Sequence, residues 1–278
     1  MTERTFSTIV DVDTVEGLPM PTNAIRDRWA AGEAAVDCWI SGSSVLSAEA
    51  VGRLGYDSVV IDMQHTMAEY RDVVTAIIAL SASPTVPVVR VPGNDPILVG
   101  RVLDAGARGV MCPMVNTREA AERFVAACRY PPEGTRSYGP YRAADGARYF
   151  TGANADIVTF AQIETLEALD NVDEIAATPG LDVLFVGPTD LSISGGGAPS
   201  MSYTDPLVDE RHRAIVDAAH RAGKRAGMLA LAPGDPEIGR GWGMDFLSVA
   251  MEQRLVAVGA AQALRHGRSV AGPALAQA

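Results

Sequence analysis

The feature that most constrains the fold is a repeated pairing, an apolar run of six to eight residues followed by a stretch with helical periodicity. The runs are VDCWIS (36–41), SVVIDM (58–63), VPVVRV (86–91), GVMCPMV (109–115), IVTFAQIE (157–164), VLFVGP (183–188), RAGMLAL (225–231) and FLSVAM (246–251). Most are continuously apolar rather than alternating, as parallel strands buried on both faces are. Strand–helix alternation repeated eight times favours a (β/α)8 barrel over a doubly wound sheet. No Gly-x-Gly-x-x-Gly follows the first run, which weakens a dinucleotide-binding reading. The 278 residues suit one such barrel, which takes about 250.

The intervening segments carry helix signals of known cause. SAEAVGRLG ends at Gly55, which predicts a glycine C-cap there. Val73, Val74, Ile77 and Ile78 in EYRDVVTAIIAL repeat with a period of 3.6. NDPILVGRVLDAG opens on a cap followed by proline in the first turn. NTREAAERFVAAC predicts a capping box between Asn116 and Glu119. His212 and His220, eight residues apart on one helix, are expected to face solvent. YGPYRAADGARYFTGAN (138–154) and SISGGGAPSMS (192–202) are two long glycine-rich loops. No internal repeat is present, and the segment up to about Gly32 is a polar lead-in.

A net charge of −11 and a pI near 4.8 argue against nucleic acid, which needs a basic stripe to displace counterions. Cys38, Cys112 and Cys128 show no paired spacing, and their odd number favours a reducing compartment. The N-terminus lacks the basic start and apolar stretch of a signal peptide, and no apolar run is long enough for a membrane span. The expectation is a cytoplasmic protein.

Barrel active sites are built at the C-terminal ends of the strands. The polar residues there are Asp62, Gln64 and His65 after the second run, and Arg90 after the third. Gln162 and Glu164 follow the fifth, Thr189 and Asp190 the sixth, and Glu252 the eighth. Glu164 and Asp190 end adjacent strands. Two carboxylates without a nearby lysine repel unless a proton or cation lies between them, and oxygen ligands suit a hard ion such as Mg²⁺ or Mn²⁺. The alternative is that each caps a local turn. His65 is the one histidine at a strand's catalytic end, where it either moves protons or bonds a backbone carbonyl. Asp104 is either its orienting partner or a solvated helix carboxylate. Arg90 ends an apolar strand and needs an anion, whether a substrate carboxylate or an internal Asp or Glu. The only lysine, Lys224, precedes the seventh run and so lies at the opposite face, leaving no Schiff-base lysine at the mouth.

The blocks IDMQH, VVRVPGNDP, LDAGARGVMCPMV, RYPPEGTR, AQIET and FVGPTDLS occur in an order and spacing that resembles the HpcH/HpaI family of class II pyruvate aldolases, over roughly residues 25–265. The resemblance implies a (β/α)8 barrel of the phosphoenolpyruvate/pyruvate type over 25–278, preceded by an extension over 1–24. It also implies a last helix packed on a neighbouring subunit, in a homohexamer or trimer. It makes Glu164 and Asp190 ligands of a divalent ion (Mg²⁺, Mn²⁺ or Co²⁺). Gln162, Thr189, Asp190 and Trp39 contact the keto acid, Arg90 stabilises its enolate, and His65, oriented by Asp104, moves the proton. The implied reaction makes or breaks a carbon–carbon bond in a 4-hydroxy-2-keto acid, with an aldehyde as partner. A CoA-thioester lyase, a citrate-synthase-like relative and a non-catalytic keto-acid-binding barrel are the alternatives. Gln64 stands where many members of the family carry Glu.

Overall fold

A computed structural model describes residues 22–41, 44–142, 146–203 and 206–271. Residues 1–21, most of the expected extension, lie outside them. The chain opens with helix α1 (Ala24–Ala30), then strand β1 (Ala35–Ile40), α2 (Val45–Gly52), β2 (Ser58–Asp62), α3 (Tyr70–Leu80) and β3 (Val86–Arg90). It continues through α4 (Pro96–Asp104), β4 (Gly109–Cys112), α5 (Arg118–Cys128), α6 (Gly146–Asp156) and β5 (Val158–Ile163). Two short helices, α7 (Leu166–Asp170) and α8 (Val172–Ala176), lead to β6 (Val183–Val186), followed by α9 (Pro188–Ser194) and α10 (Pro206–Arg221). Then come β7 (Arg225–Leu229), α11 (Asp235–Trp242), β8 (Phe246–Met251) and α12 (Glu252–Ala271). The eight strands form one closed parallel barrel in sequence order, with β1 pairing both β2 and β8. The expected (β/α)8 fold is present.

Side chains alternate between two cores because successive strand residues point to opposite faces. The interior is filled by Ala35, Trp39, Val60, Val86, Val88, Met111, Val158, Phe160, Val183, Phe185 and Phe246. The intervening residues, such as Cys38, Val59, Ile61, Val89 and Val110, pack outward against the helices. α1 plugs the N-terminal end with Ile25 and Trp29, the latter bonding the Asp245 carbonyl at 2.9 Å. Asn23 caps this helix and also bonds the Asp156 carbonyl at 3.0 Å. α1 lies within the stretch read as polar lead-in, because only two apolar residues on one face mark a helix this short.

Several local expectations are corrected. α2 ends at Gly52 and is capped by Arg53, while Gly55 takes φ +91 in the turn beyond. The cap of α5 is Thr117, whose hydroxyl accepts from Ala120 N–H at 3.2 Å; Asn116 instead accepts from Thr165 and donates to Glu167. α6 begins inside the first glycine-rich stretch, and the end of α9 overlaps the start of the second. His212 does not face solvent. Its Nδ1 lies 2.7 Å from the Val208 carbonyl, and its ring is enclosed by Tyr203 and Trp242. α10 is long enough to turn this position inward against α11, and burial pushes the imidazole down to about 4. His220 is partly exposed and bonds Asp245 at 2.9 Å.

α12 is different in kind. It projects from the end of β8, and none of its described residues is buried within the chain. Leu255, Val256, Val258, Leu264 and Val270 are all exposed. No helix among the described residues is long and apolar enough to cross a membrane.

Candidate active site at the barrel mouth

The strands deliver their last inward-facing residues to one end of the barrel, and polar groups concentrate there. Asp62 and Arg90 end the adjacent strands β2 and β3 in direct register. Arg90 Nε donates to Asp62 Oδ1 at 2.8 Å and Nη2 donates to Oδ2 at 2.7 Å, a bidentate pair. The anion that Arg90 requires is therefore an internal one. Its guanidinium also lies 4.4 Å from the ring centroid of Trp39, so it is clamped at its edge and on its face. Asp62 Oδ1 further accepts the backbone N–H groups of Gln64 (2.9 Å) and His65 (3.4 Å), and Thr66 Oγ1 donates to the Asp62 carbonyl. The loop thus folds back on Asp62 and leaves the His65 side chain exposed at the rim.

Glu164 follows β5 and is 2% exposed. Thr165, not Glu164, caps α7. Glu164 Oε1 accepts the Met114 N–H at 2.6 Å, and Met114 adopts φ +54, a left-handed conformation uncommon for a side chain of this size. The opposite wall is Gly187, where an added Cβ would lie 2.6 Å from Glu164 Cβ and closer still to Oε2. Only a glycine leaves room for the carboxylate. Burial pushes the Glu164 carboxyl up from the usual carboxylate range. The Met114 N–H opposes this, the nearby Asp190 carboxylate adds to it, and Arg90 opposes it. Thr189 and Asp190 lie in the first turn of α9, immediately after Gly187, and are half-buried. Gln162 shares the inward face of β5 with Glu164, and its Oε1 is buried without a partner.

Glu164, Asp190, Gln162, Arg90, Trp39 and His65 thus all belong to the mouth. Asp104 does not join them within one chain. It is the last residue of α4, which runs from the mouth back towards the N-terminal end, and its carboxylate is taken by Arg136 at 2.8 Å. Lys224 lies between α10 and β7, at the far end.

One polar group escaped the reading of the sequence. Asp37 and Ser248 face the barrel interior beneath Trp39. Trp39 Nε1 donates to Ser248 Oγ at 2.8 Å, Ser248 Oγ donates to Asp37 Oδ2 at 2.9 Å, and Ser58 Oγ donates to Asp37 Oδ1 at 2.8 Å. All are buried, and burial holds the Asp37 carboxyl well above the usual carboxylate range. The available signal was a carboxylate inside the apolar run VDCWIS, two positions from Trp39 and so on the same strand face.

These features define a barrel whose C-terminal mouth holds buried carboxylates, an unsatisfied carbonyl oxygen and a fixed guanidinium, a site suited to a small oxygen-rich substrate. The sequence profile of HpcH/HpaI aldolase/citrate lyase matches residues 36–258. The chain is 38% identical over 250 residues to a hydroxypyruvate/pyruvate aldolase of Rhizorhabdus wittichii, covering 89% of this chain and 100% of that one. It is 36% identical over 242 residues to a 5-keto-4-deoxy-D-glucarate aldolase of Shigella boydii, covering 86% and 93%. A crystal structure of an HpcH/HpaI aldolase/citrate lyase family protein from Burkholderia cenocepacia superposes with a TM-score of 0.82 at 35% identity, covering 89% and 100% of the two chains. The citrate synthase SbnG gives 0.80 at 27% identity, covering 89% and 98%. The chain belongs to the HpcH/HpaI aldolase/citrate lyase family, and it is an aldolase.

Proposed function

We propose that this aldolase is metal-dependent and that it makes or breaks a carbon–carbon bond in a 4-hydroxy-2-keto acid through the enolate of pyruvate or a related keto acid. The observation that carries the reading is the donor set around Glu164. This buried carboxylate has a second carboxylate, Asp190, as neighbour and the unpartnered Gln162 oxygen on the same strand face. Such oxygen donors fit a hard divalent ion. No group of three or more His, Cys, Asp or Glu suited to a metal occurs among the described residues. In this reading Glu164 and Asp190 would hold the ion. When bound, the ion supplies positive charge to the keto and carboxylate oxygens of the substrate.

The chain's own residues do the rest. Arg90, fixed by Asp62 and Trp39, presents its remaining N–H groups to the oxygen on which negative charge develops, without reorganising during reaction. His65 at the rim removes or returns the proton at the substrate's methyl carbon. Gln162 bonds the ligand, the first-turn N–H groups of Thr189 and Asp190 receive its carboxylate, and Trp39 walls the pocket. Asp104 enters this scheme only if released from Arg136. α12 lends its apolar face to a second copy of the chain, in a hexamer or trimer.

The test is pyruvate plus short aldehydes, with Mg²⁺, Mn²⁺ or Co²⁺, before and after EDTA. Metal-restored aldol addition and exchange of the pyruvate methyl protons are expected. Addition that survives EDTA unchanged would refute the metal dependence. Addition of acetyl-CoA to the keto group of the acid, giving a hydroxyacyl-CoA thioester, would point to the CoA-thioester alternative.

A further inference from the structure

We infer that Asp37 and Ser248 are positioning residues for the reaction, tethering the Trp39 indole as the platform on which the Arg90 guanidinium is held. This rests on the reading of Arg90 as the group that stabilises the enolate oxygen.

The direction of the bond at the indole is dictated by chemistry. An indole N–H only donates, so Ser248 Oγ must accept from Trp39 at 2.8 Å. The single hydroxyl hydrogen of Ser248 is then free to point at Asp37 Oδ2, 2.9 Å away. The other carboxyl oxygen is held by Ser58. The chain from Asp37 to Trp39 is thus joined by hydrogen bonds at every step. The strands enforce it. Asp37 lies in register with Ser58 on β2 and with Ser248 on β8. Directly after this layer the β1–β8 register shifts, so that Cys38 pairs with Ala250 and Val249 is the extra residue. Ser248 stays opposite Asp37 and also accepts from the indole of Trp39, two residues further along β1.

A packing role alone does not require this arrangement. The barrel interior is otherwise apolar, and an apolar trio of similar volume would fill it without burying a carboxyl group. What the polar trio adds is a fixed indole plane. A tryptophan held only by packing against Phe185 (centroids 6.0 Å apart) keeps freedom to rock about its side-chain torsions. A tethered one does not, and the guanidinium resting 4.4 Å above it inherits that constraint. The Asp62 fork fixes Arg90 along one edge, and the Trp39 face fixes the tilt about that edge. Tilt decides where the remaining N–H groups aim.

The test compares Ser248→Ala with Ser58→Ala. Each deletes one hydrogen bond to the same buried carboxyl group, but only Ser248 leads to Trp39. Methyl-proton exchange and aldol turnover are measured at saturating metal, below the melting temperature of each variant. Ser248→Ala is expected to lower kcat about 10-fold with KM for the keto acid changed less than about threefold, and Ser58→Ala to leave kcat within about threefold, since small misplacements of a positioned group cost between ten- and a hundred-fold. In an Arg90→Lys background the effect of Ser248→Ala is expected to shrink below about twofold, because groups acting as a unit are not additive. Equal losses in Ser248→Ala and Ser58→Ala, or the same Ser248→Ala loss in both backgrounds, would overturn the positioning role while leaving the proposed reaction standing. Unimpaired turnover by Arg90→Lys would overturn the role of Arg90 itself, and with it this inference. Should Ser248→Ala fail to fold, Trp39→Phe removes the N–H but keeps a ring, and the same 10-fold loss of kcat is expected. Wild-type kcat in Trp39→Phe would overturn the inference.

Discussion

Replacing Gly187 with alanine is the sharpest perturbation the mouth offers, because it adds one methyl group and no charge. Gly187 has φ −99, which alanine adopts freely, so backbone strain does not enter. The new Cβ would lie 2.6 Å from Glu164 Cβ, against roughly 3.5–4.0 Å for an ordinary carbon–carbon contact. About 1 Å of movement is therefore demanded, and the clash is with an atom one bond from the backbone, which cannot swing aside as a side-chain tip does. Overpacking of this kind costs about 1–3 kcal/mol, or roughly 2–12 °C in melting temperature for a domain of this size. A 1 Å displacement of the Glu164 carboxylate costs on the order of 100-fold in turnover. The assays are thermal melting, Mn²⁺ titration, and pyruvate methyl-proton exchange at saturating Mn²⁺. Weakened Mn²⁺ binding with a folded protein is expected. Gly152→Ala, where an added Cβ meets nothing within 4 Å on α6, serves as the control and should be neutral or stabilising by up to about 1 kcal/mol. Wild-type Mn²⁺ affinity and exchange in Gly187→Ala would refute the account of this wall.

Three further outcomes are expected. Asp62→Ala orphans a buried guanidinium and should cost about 3–5 kcal/mol in denaturant unfolding, more than Asp62→Asn; a cost near zero would mean that Arg90 is solvated. His212 is buried neutral, with its value lowered from 6.5 to about 4, so the unfolded chain binds the extra proton first as pH falls through that window. Stability is then fully present above 6.5 and lost towards 4, and His212→Gln should flatten this part of the urea midpoint against pH; an unchanged slope would place its source elsewhere. Deleting 252–271 removes a helix with no buried residue in its own chain, so the barrel should still melt cooperatively while light scattering reports loss of assembly. An assembly state identical in full-length and shortened protein would refute the apolar face as a subunit contact.

Much of the barrel was legible because its strands are buried on both sides. Continuous apolar runs such as SVVID and VLFV leave no other reading, and all eight fall where the runs do. The short or polar helices were not legible. α1 has two inward residues, and α6 and α9 are rich in glycine, serine or alanine, so composition marks them as loop while tertiary contacts hold them as helix. Burial of His212 depends on which face of α10 meets α11, which periodicity alone does not fix. Position along a strand was enough to place Glu164, Gln162 and Arg90 at the mouth. What Arg90 bonds depends on the β2–β3 register, which sets Asp62 directly opposite it. Asp37 and Ser248 are 211 residues apart, and no local signal joins them.

That separation has a consequence for how the protein comes into being. Among the described residues, Asp37 and Trp39 are on the first strand to leave the ribosome, and the serine that bonds them is on the last. At about 5–20 residues per second, the 211 residues between take about 10–40 s to synthesise. Throughout that interval the first strand lacks its closing neighbour, and the indole lacks its tether. The seam that shuts the barrel and the brace beneath the guanidinium are thus completed in the same event. A chain released early, or one whose last strand fails to dock, does not hold a finished active site.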